Sequence, residues 1–123
     1  MSNAKPLNGV KILELSSVVT ASLATMILCD QGAEVIKVEP TGIGDSMRHL
    51  GTQKGGFSAI FSNCNRGKKS LNLNLKDQDE VKFLLSLVKE SDVFISNYRP
   101  GVNDRLGLGL KALRKINSKI IYV

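Results

Sequence analysis

The sequence VKILEL at residues 10–15, an apolar segment at 20–31 and AEVIKVE at 33–39 together decide the fold. The first and third stretches are rich in β-favouring residues, whereas the middle segment is rich in Ala, Leu and Met. Glycine is favoured at the position just after a helix, so Gly32 predicts the end of that helix. Pro40 predicts the end of the second strand. These features predict a strand, a helix and a second strand, joined by a right-handed crossover that makes the two strands parallel.

The rest of the chain continues this alternation of strands and helices. SLNLNL at residues 70–75 alternates apolar and polar residues, which predicts a half-exposed strand. Asp77 and Glu80 have the spacing of a capping box and predict a helix over 78–90. Further strands are predicted at 92–96 and 119–123, with two short helical pieces within 102–116. The whole pattern is typical of an α/β protein with an open, mostly parallel sheet and flanking helices.

The segment at residues 40–56 is rich in glycine and shows no periodicity, which predicts a long surface loop, followed by a short helix over 56–63. Within the loop, Asp45 and Arg48 form either a local ion pair or a flexible exposed pair. Glu39, at the end of the second strand, occupies the place of a ribose-binding acid. A solvated Glu39 is favoured because the chain has no GxGxxG motif after its first strand.

Composition limits the possible functions. The chain has 123 residues, of which 42% are hydrophobic and 23% are charged, and we expect one globular domain without a membrane span. One histidine and two cysteines lack the parts for a zinc site or a Ser-His-Asp triad, and reduced thiols favour the cytoplasm. The net charge of +6 indicates an anionic partner. An aromatic content of 5% argues against nucleic acid as that partner.

Basic residues gather in the loops that should follow the strands. If these loops converge, they form a cationic rim that suits a polyphosphate; otherwise the side chains are individually solvated. The residues concerned are Arg66, Lys68, Lys69, Lys76, Arg99 and Arg105. Residues 1–5 are expected to be a disordered N-terminus or a cloning remnant, and 6–123 the folded unit.

Six segments, in this order along the chain, together resemble the amino-terminal part of the family III CoA-transferases. That family includes formyl-CoA and carnitine CoA-transferases and α-methylacyl-CoA racemase. The segments lie within 10–15, 31–40, 42–48, 65–71, 91–97 and 99–107. Any one of them is a weak signal, whereas all six in order and at this spacing are specific. The resemblance covers residues 6–123.

This resemblance implies a Rossmann-like large domain that binds coenzyme A. It implies thioester exchange between an acyl-CoA and a carboxylic acid, and an interlocked homodimer in the full-length protein. From the composition we expect no metal and no nucleic-acid or membrane partner. The nucleophile that the resemblance implies is an Asp beyond the strand that begins at Lys119. We therefore expect this chain to be a fragment, inactive by itself, with no catalytic residue among 1–123.

By resemblance, three groups of residues contact CoA. They are Val18, Val19 and Thr20 after the first strand, Leu73, Asn74, Leu75 and Lys76 after the third, and Asn97, Tyr98, Arg99 and Arg105 after the fourth. Tyr98 is expected to stack on the adenine base, and the two arginines to bind phosphate oxygens. Family transferases often carry His and Gln at the positions of Ser17 and Val19, and some carry a CoA-contacting Arg at the position of Pro40.

Other functions stay open at this point. A racemase of the same family moves a proton at the α-carbon and transfers no CoA. The long stretch at residues 42–63 resembles transferases more than racemases, whose corresponding loop is shorter. From different classes, a non-catalytic nucleotide-binding module and a basic nucleic-acid-binding domain are the remaining hypotheses.

Overall fold

The computed structural model describes residues 4–123, so residues 1–3 of the predicted N-terminal tail lie outside the described part. Asn8 donates its backbone N–H to the carbonyl of Lys5 at 3.1 Å, which forms a turn ahead of the first strand. In chain order the elements are β1 (Lys11–Leu15), α1 (Thr20–Asp30), β2 (Glu34–Pro40), a 3₁₀ helix (Ser46–His49), β3 (Gln53–Lys54), β4 (Phe57–Ser58), α2 (Ala59–Asn65), β5 (Lys69–Leu73), α3 (Gln78–Lys89), β6 (Val93–Ser96), α4 (Val102–Arg105), α5 (Leu110–Ile116) and β7 (Ile121–Tyr122).

Five parallel strands form the main sheet in the order β5-β2-β1-β6-β7. The predicted parallel sheet and its five strands are confirmed. Successive strands are added outward from β1 on one side and then on the other, so the order reverses between β1 and β6. In open α/β sheets ligands bind beyond the carboxyl ends of the strands at such a reversal point.

The two faces of the sheet are covered by different helices. One face packs against α3 and α5 and buries an apolar core that includes Leu13, Leu15, Leu84 and Phe94. The helix α3 begins where predicted, because the Asp77 side chain accepts hydrogen bonds from the amides of Asp79 and Glu80. The opposite face packs against α1 through a smaller apolar cluster: Ile12, Ala21, Ala33, Val35 and Ile95.

The long loop predicted at residues 40–56 is more ordered than expected. It contains the 3₁₀ helix and leads into an antiparallel hairpin of β3 and β4. The Asp45 side chain caps the 3₁₀ helix and Met47 is fully buried, so two residues anchor the segment without any periodic pattern. The following helix starts at Ala59 and not at Gly56, because Gly55 and Gly56 form the hairpin turn at positive φ.

Candidate functional site

A cavity of about 250 Å³ lies beyond the carboxyl ends of β2 and β5. Most of its lining residues are aliphatic, and Tyr98 and Lys76 also line it. The lining residues are Leu15, Val38, Glu39, Pro40, Thr41, Leu73, Asn74, Leu75, Lys76, Tyr98 and Leu106. The cavity therefore contains all four predicted residues of the 73–76 group and one of the 97–105 group.

A second cavity, of about 340 Å³, lies on the other side of Tyr98 beyond β6. Arg99 lines it together with Asp104 and Tyr122. The Tyr98 ring is half-buried, and this burial raises the pKa of its hydroxyl, which keeps the phenol neutral at pH 7. Arg105 lines neither cavity, and its guanidinium lies beside Gly101 at the start of α4. The structure thus brings Tyr98 and Arg99 together and leaves Arg105 on the neighbouring exposed surface.

Asn97 fixes the loop between β1 and α1 at the point where the strand order reverses. Its Oδ1 accepts a hydrogen bond from the Ser17 amide at 3.0 Å, and its Nδ2 donates to the Ser17 carbonyl at 2.7 Å and to Thr20 Oγ1 at 3.1 Å. Val18, in the middle of this loop, has a φ of 60° and is exposed. The predicted groups Val18 to Thr20 and Asn97 therefore meet, although the Asn97 side chain is occupied by the loop backbone.

A buried ionic layer lies beneath the α1 side of this edge, and the sequence analysis missed it. Glu14 and Lys37 are in register on β1 and β2, and Lys37 Nζ donates to Glu14 Oε1 at 2.8 Å. Lys68 Nζ reaches the other oxygen of Glu14 at 2.8 Å. Burial alone would raise the pKa of Glu14, but the charge and hydrogen bond of Lys37, with the hydrogen bond of Lys68, lower it below its usual value. Glu14 is therefore ionised and bound by two cations.

Glu39 belongs to the same layer, and the expectation that it is solvated is wrong. Arg48 donates hydrogen bonds from Nε and Nη2 to the Glu39 carboxylate, each at 2.7 Å. Ser70 Oγ donates to the same carboxylate at 2.7 Å. Burial alone would raise the pKa of Glu39, but the hydrogen bonds from Arg48, the Asp45 amide and Ser70 hold it at about 2. Arg48 also lies 3.9 Å from the centre of the Phe61 ring.

Asp45 and Arg48 form neither a local ion pair nor a flexible exposed pair, so both predicted alternatives are wrong. Each of these side chains crosses from the loop to β2: Arg48 binds Glu39, and Asp45 lies 2.9 Å from Lys37. This last contact lacks hydrogen-bond alignment at Asp45 Oδ2, so we regard it as an ion pair held by charge in a buried site. The loop is thereby tied to the sheet at two points.

Half of the predicted cationic rim does not form. The Lys68 side chain is 2% exposed and forms an ion pair with Glu14, because a buried carboxylate requires a cationic partner. Burial lowers the pKa of Lys68, although Glu14 opposes this effect. Arg66 and Lys69 pair outward with Asp30 and Glu34. Lys76, Arg99 and Arg105 remain as exposed cations at or near the carboxyl edge.

One sequence signal does point to the ionic layer. In the interior strand β2, Lys37 and Glu39 occupy the same face as Val35, which the alternation of the strand directs inward. A strand covered on both faces normally carries apolar residues on both. Charged residues at such positions therefore indicate buried ion pairs, although the partner Lys68 comes from a distant part of the chain.

Among residues 4–123, no group of three or more His, Cys, Asp and Glu side chains is placed to hold a metal ion. No helix in the same range has the length and apolar character needed to cross a membrane.

Comparison with known proteins gives a consistent result. The model of CoA-transferase family III matches residues 7–123. An acetyl-CoA:oxalate CoA-transferase of Acetobacter aceti is 44% identical over 117 residues, which cover 95% of this chain and 30% of that protein. The human succinyl-CoA:glutarate CoA-transferase is 46% identical over 123 residues, covering 99% of this chain and 28% of that protein.

Solved structures share the architecture. The crystal structure of Rv3272 from Mycobacterium tuberculosis superposes with a TM-score of 0.90 at 38% identity, over 97% of this chain and 34% of that one. A CAIB/BAIF family protein from Brucella suis gives a TM-score of 0.90 at 36% identity, over 98% and 33%. The chain thus spans about a third or less of the relatives and structures that it matches. With a family match over nearly its whole length, the chain belongs to family III of the CoA-transferases.

Proposed function

We propose that this chain is the CoA-binding portion of an enzyme that moves CoA between a thioester donor and a carboxylic acid. The observation that carries the proposal is the cavity at the carboxyl edge, which gathers residues 73–76 and Tyr98 in a chain of this family. The relatives described above are named as CoA-transferases, which favours transfer over racemisation. The interlocked homodimer and the cytoplasmic location stay predictions of the same proposal.

The chemistry of the edge suits the nucleotide part of CoA. The Tyr98 ring offers a face on which adenine can stack, and the cavity beside it has an aliphatic wall. Lys76, Arg99 and Arg105 supply positive charge without any carboxylate partner assigned to them among the described ion pairs. A cavity of about 250 Å³ is smaller than pockets that enclose a whole drug-sized ligand, so the rest of CoA extends along the open edge.

The transfer step needs a nucleophile that the resemblance places after the strand beginning at Lys119. Glu14, Glu39 and Asp45 do not suit that role, because each of these carboxylates is buried and lies against a cation. In this proposal the 123-residue chain binds CoA and does not transfer it. Transfer from an acyl-CoA to oxalate or succinate by the purified 123-residue chain would contradict that assignment.

The proposal is tested by calorimetric titration of CoA into the 123-residue chain at low and high salt. Charge-assisted hydrogen bonds stabilise by about 1.5 to 3 kcal/mol each, so Arg99→Ala and Arg105→Ala should each weaken binding by about tenfold at low salt. High salt should reduce that difference by screening the exposed charges. Arg114→Ala removes an exposed arginine of α5 that belongs to none of the predicted CoA-contacting groups, and it serves as the matched control. Equal affinity in all four proteins, or no binding by the wild type, would overturn the proposal.

A further inference from the structure

Val18 lies in a conformation that its side chain disfavours. Within residues 4–123 it is the one non-glycine residue with a positive φ, at 60°. A β-branched side chain in the left-handed region is a marked outlier, and such outliers persist only where the surroundings hold them. Val18 occupies the loop at the reversal point of the sheet, beside the edge at which we propose that CoA binds.

Asp45 supplies the contact that holds this conformation. The Val18 amide donates to Asp45 Oδ1 at 3.2 Å, while Asn97 binds both the amide and the carbonyl of the preceding residue, Ser17. The backbone amides of Ser17 and Val18 therefore donate hydrogen bonds to side chains from separate parts of the fold. Asn97 follows β6, and Asp45 belongs to the segment after β2.

Asp45 is itself fixed by β2. Its side chain is fully buried, its backbone N–H donates to Glu39 Oε2 at 2.9 Å, and its Oδ2 lies 2.9 Å from Lys37 Nζ. Gly44 brings the chain close enough for these contacts. A Cβ at Gly44 would lie 2.9 Å from the side chains of Glu39 and Arg48, and its φ is +68°. The position of Asp45 is therefore set by the ionic layer and not by the loop alone.

We propose that Asp45 is a positioning residue, which transmits the fixed geometry of β2 to the loop between β1 and α1. By accepting the Val18 amide it keeps Val18 in the left-handed conformation, and so sets the surface that Val18 and Val19 present at the CoA edge. This inference rests on the proposed function for its ligand. The role of Asp45 in holding the loop can also be measured without CoA, by hydrogen exchange at the Val18 amide.

The variant Asp45→Asn tests the proposal, with Val18→Gly as its partner. The amide of asparagine faces the Lys37 ammonium, so the ion pair is lost and the hold on the Val18 amide weakens. Glycine adopts positive φ without strain, so Val18→Gly should let the loop keep its shape without Asp45. We expect Asp45→Asn to weaken CoA binding by about tenfold in the wild-type background and by at most about twofold in the Val18→Gly background.

Amide hydrogen exchange gives the readout that does not depend on CoA. Asp45→Asn should speed exchange of the Val18 amide by at least about tenfold while the amide of Leu13 in the core stays slow. Asp79→Asn, which changes an exposed aspartate on α3, is the control and should leave both measurements unchanged. If the wild type binds no CoA, the proposed function fails, and the exchange measurement still decides the role of Asp45.

Two results would overturn the inference. One is an equal loss of affinity in both backgrounds, since Asp45 would then act without Val18. The other is an unchanged exchange rate at Val18 in Asp45→Asn. If Asp45→Asn alone does not fold, folding of the double variant with Val18→Gly supports the proposal. Failure of both variants to fold would show that Asp45 acts within the sheet and would contradict it.

Discussion

On one face of the sheet, β1 and β2 bury Leu13, Leu15 and Val38 against α3 and α5, whereas on the other they bury Glu14, Lys37 and Glu39. Both sets lie on the same strands and alternate residue by residue, so the two environments are separated by the thickness of one sheet. The apolar face stabilises the fold by removing area from water and needs no particular partner. The ionic face requires a matched opposite charge for each group that it buries.

The ionic face is balanced and reaches the functional edge. Three carboxylates (Glu14, Glu39 and Asp45) meet three cations (Lys37, Lys68 and Arg48). Buried ion pairs contribute little net stability compared with apolar residues of the same size, but breaking one leaves an uncompensated charge. The apolar face therefore stabilises the sheet, while the ionic face fixes the loops at the edge where we propose that CoA binds.

The largest expected effect comes from leaving buried charge unpaired. Lys37→Met should lower the free energy of unfolding by about 3 to 5 kcal/mol at pH 7, because Glu14 loses a buried partner and Asp45 is left unpaired. Leu84→Ala on the apolar face should cost about 2 to 5 kcal/mol. Urea unfolding of both variants at pH 7 and again at pH 4 distinguishes the contributions of the two faces to the free energy of unfolding.

Acid should partly restore the relative stability of Lys37→Met, since protonation removes the orphaned negative charge, and should leave the deficit of Leu84→Ala unchanged. If both variants respond to pH in the same way, the proposed contrast between the two faces is wrong.

A smaller effect is expected from acid on the wild type. The folded pKa of Glu39 lies at about 2, below its ordinary value of 4.5, so its ionised form stabilises the fold above that ordinary value. That stabilisation is lost as pH falls from about 4.5 towards about 2, and amounts to about 3 kcal/mol. Unfolding midpoints measured through this range should therefore fall. In Arg48→Met the fall should be shallower, because Glu39 no longer has its main partner. An identical dependence of the unfolding midpoint on pH in the wild type and in Arg48→Met would exclude the Arg48–Glu39 pair as the cause of the fall.

The fold was predictable from local patterns. The alternation in residues 70–75, the cap at Asp77 and the glycine after α1 each depend on neighbours within a few residues. The cap and the glycine agree with the structure, and the strand is present at Lys69–Leu73, two residues shorter at its end than predicted. The cap, for example, binds amides two and three positions away. Such signals are fully contained in a short stretch of sequence.

The ionic layer was not predictable in the same way. Lys37 and Glu14 are 23 positions apart, and Lys68 and Glu14 are 54 apart, so their pairing depends on strand order. Asp45 and Arg48 are three positions apart, which suggested a local ion pair. Both side chains instead pair with residues of β2, which lies close to the loop. The CoA edge lies between these extremes, because its residues follow strand ends that could be located without knowing which strands are neighbours.

The proposed binding of CoA at the carboxyl edge of the sheet can be observed residue by residue. CoA is titrated into the isotopically labelled 123-residue chain, and the backbone amides are followed by NMR. We expect progressive shifts at residues 73–76 and 97–99, with the amides of Lys11, Glu34 and Ser91 at the opposite edge unchanged. Shifts confined to that opposite edge, or none at millimolar CoA, would contradict the proposed binding.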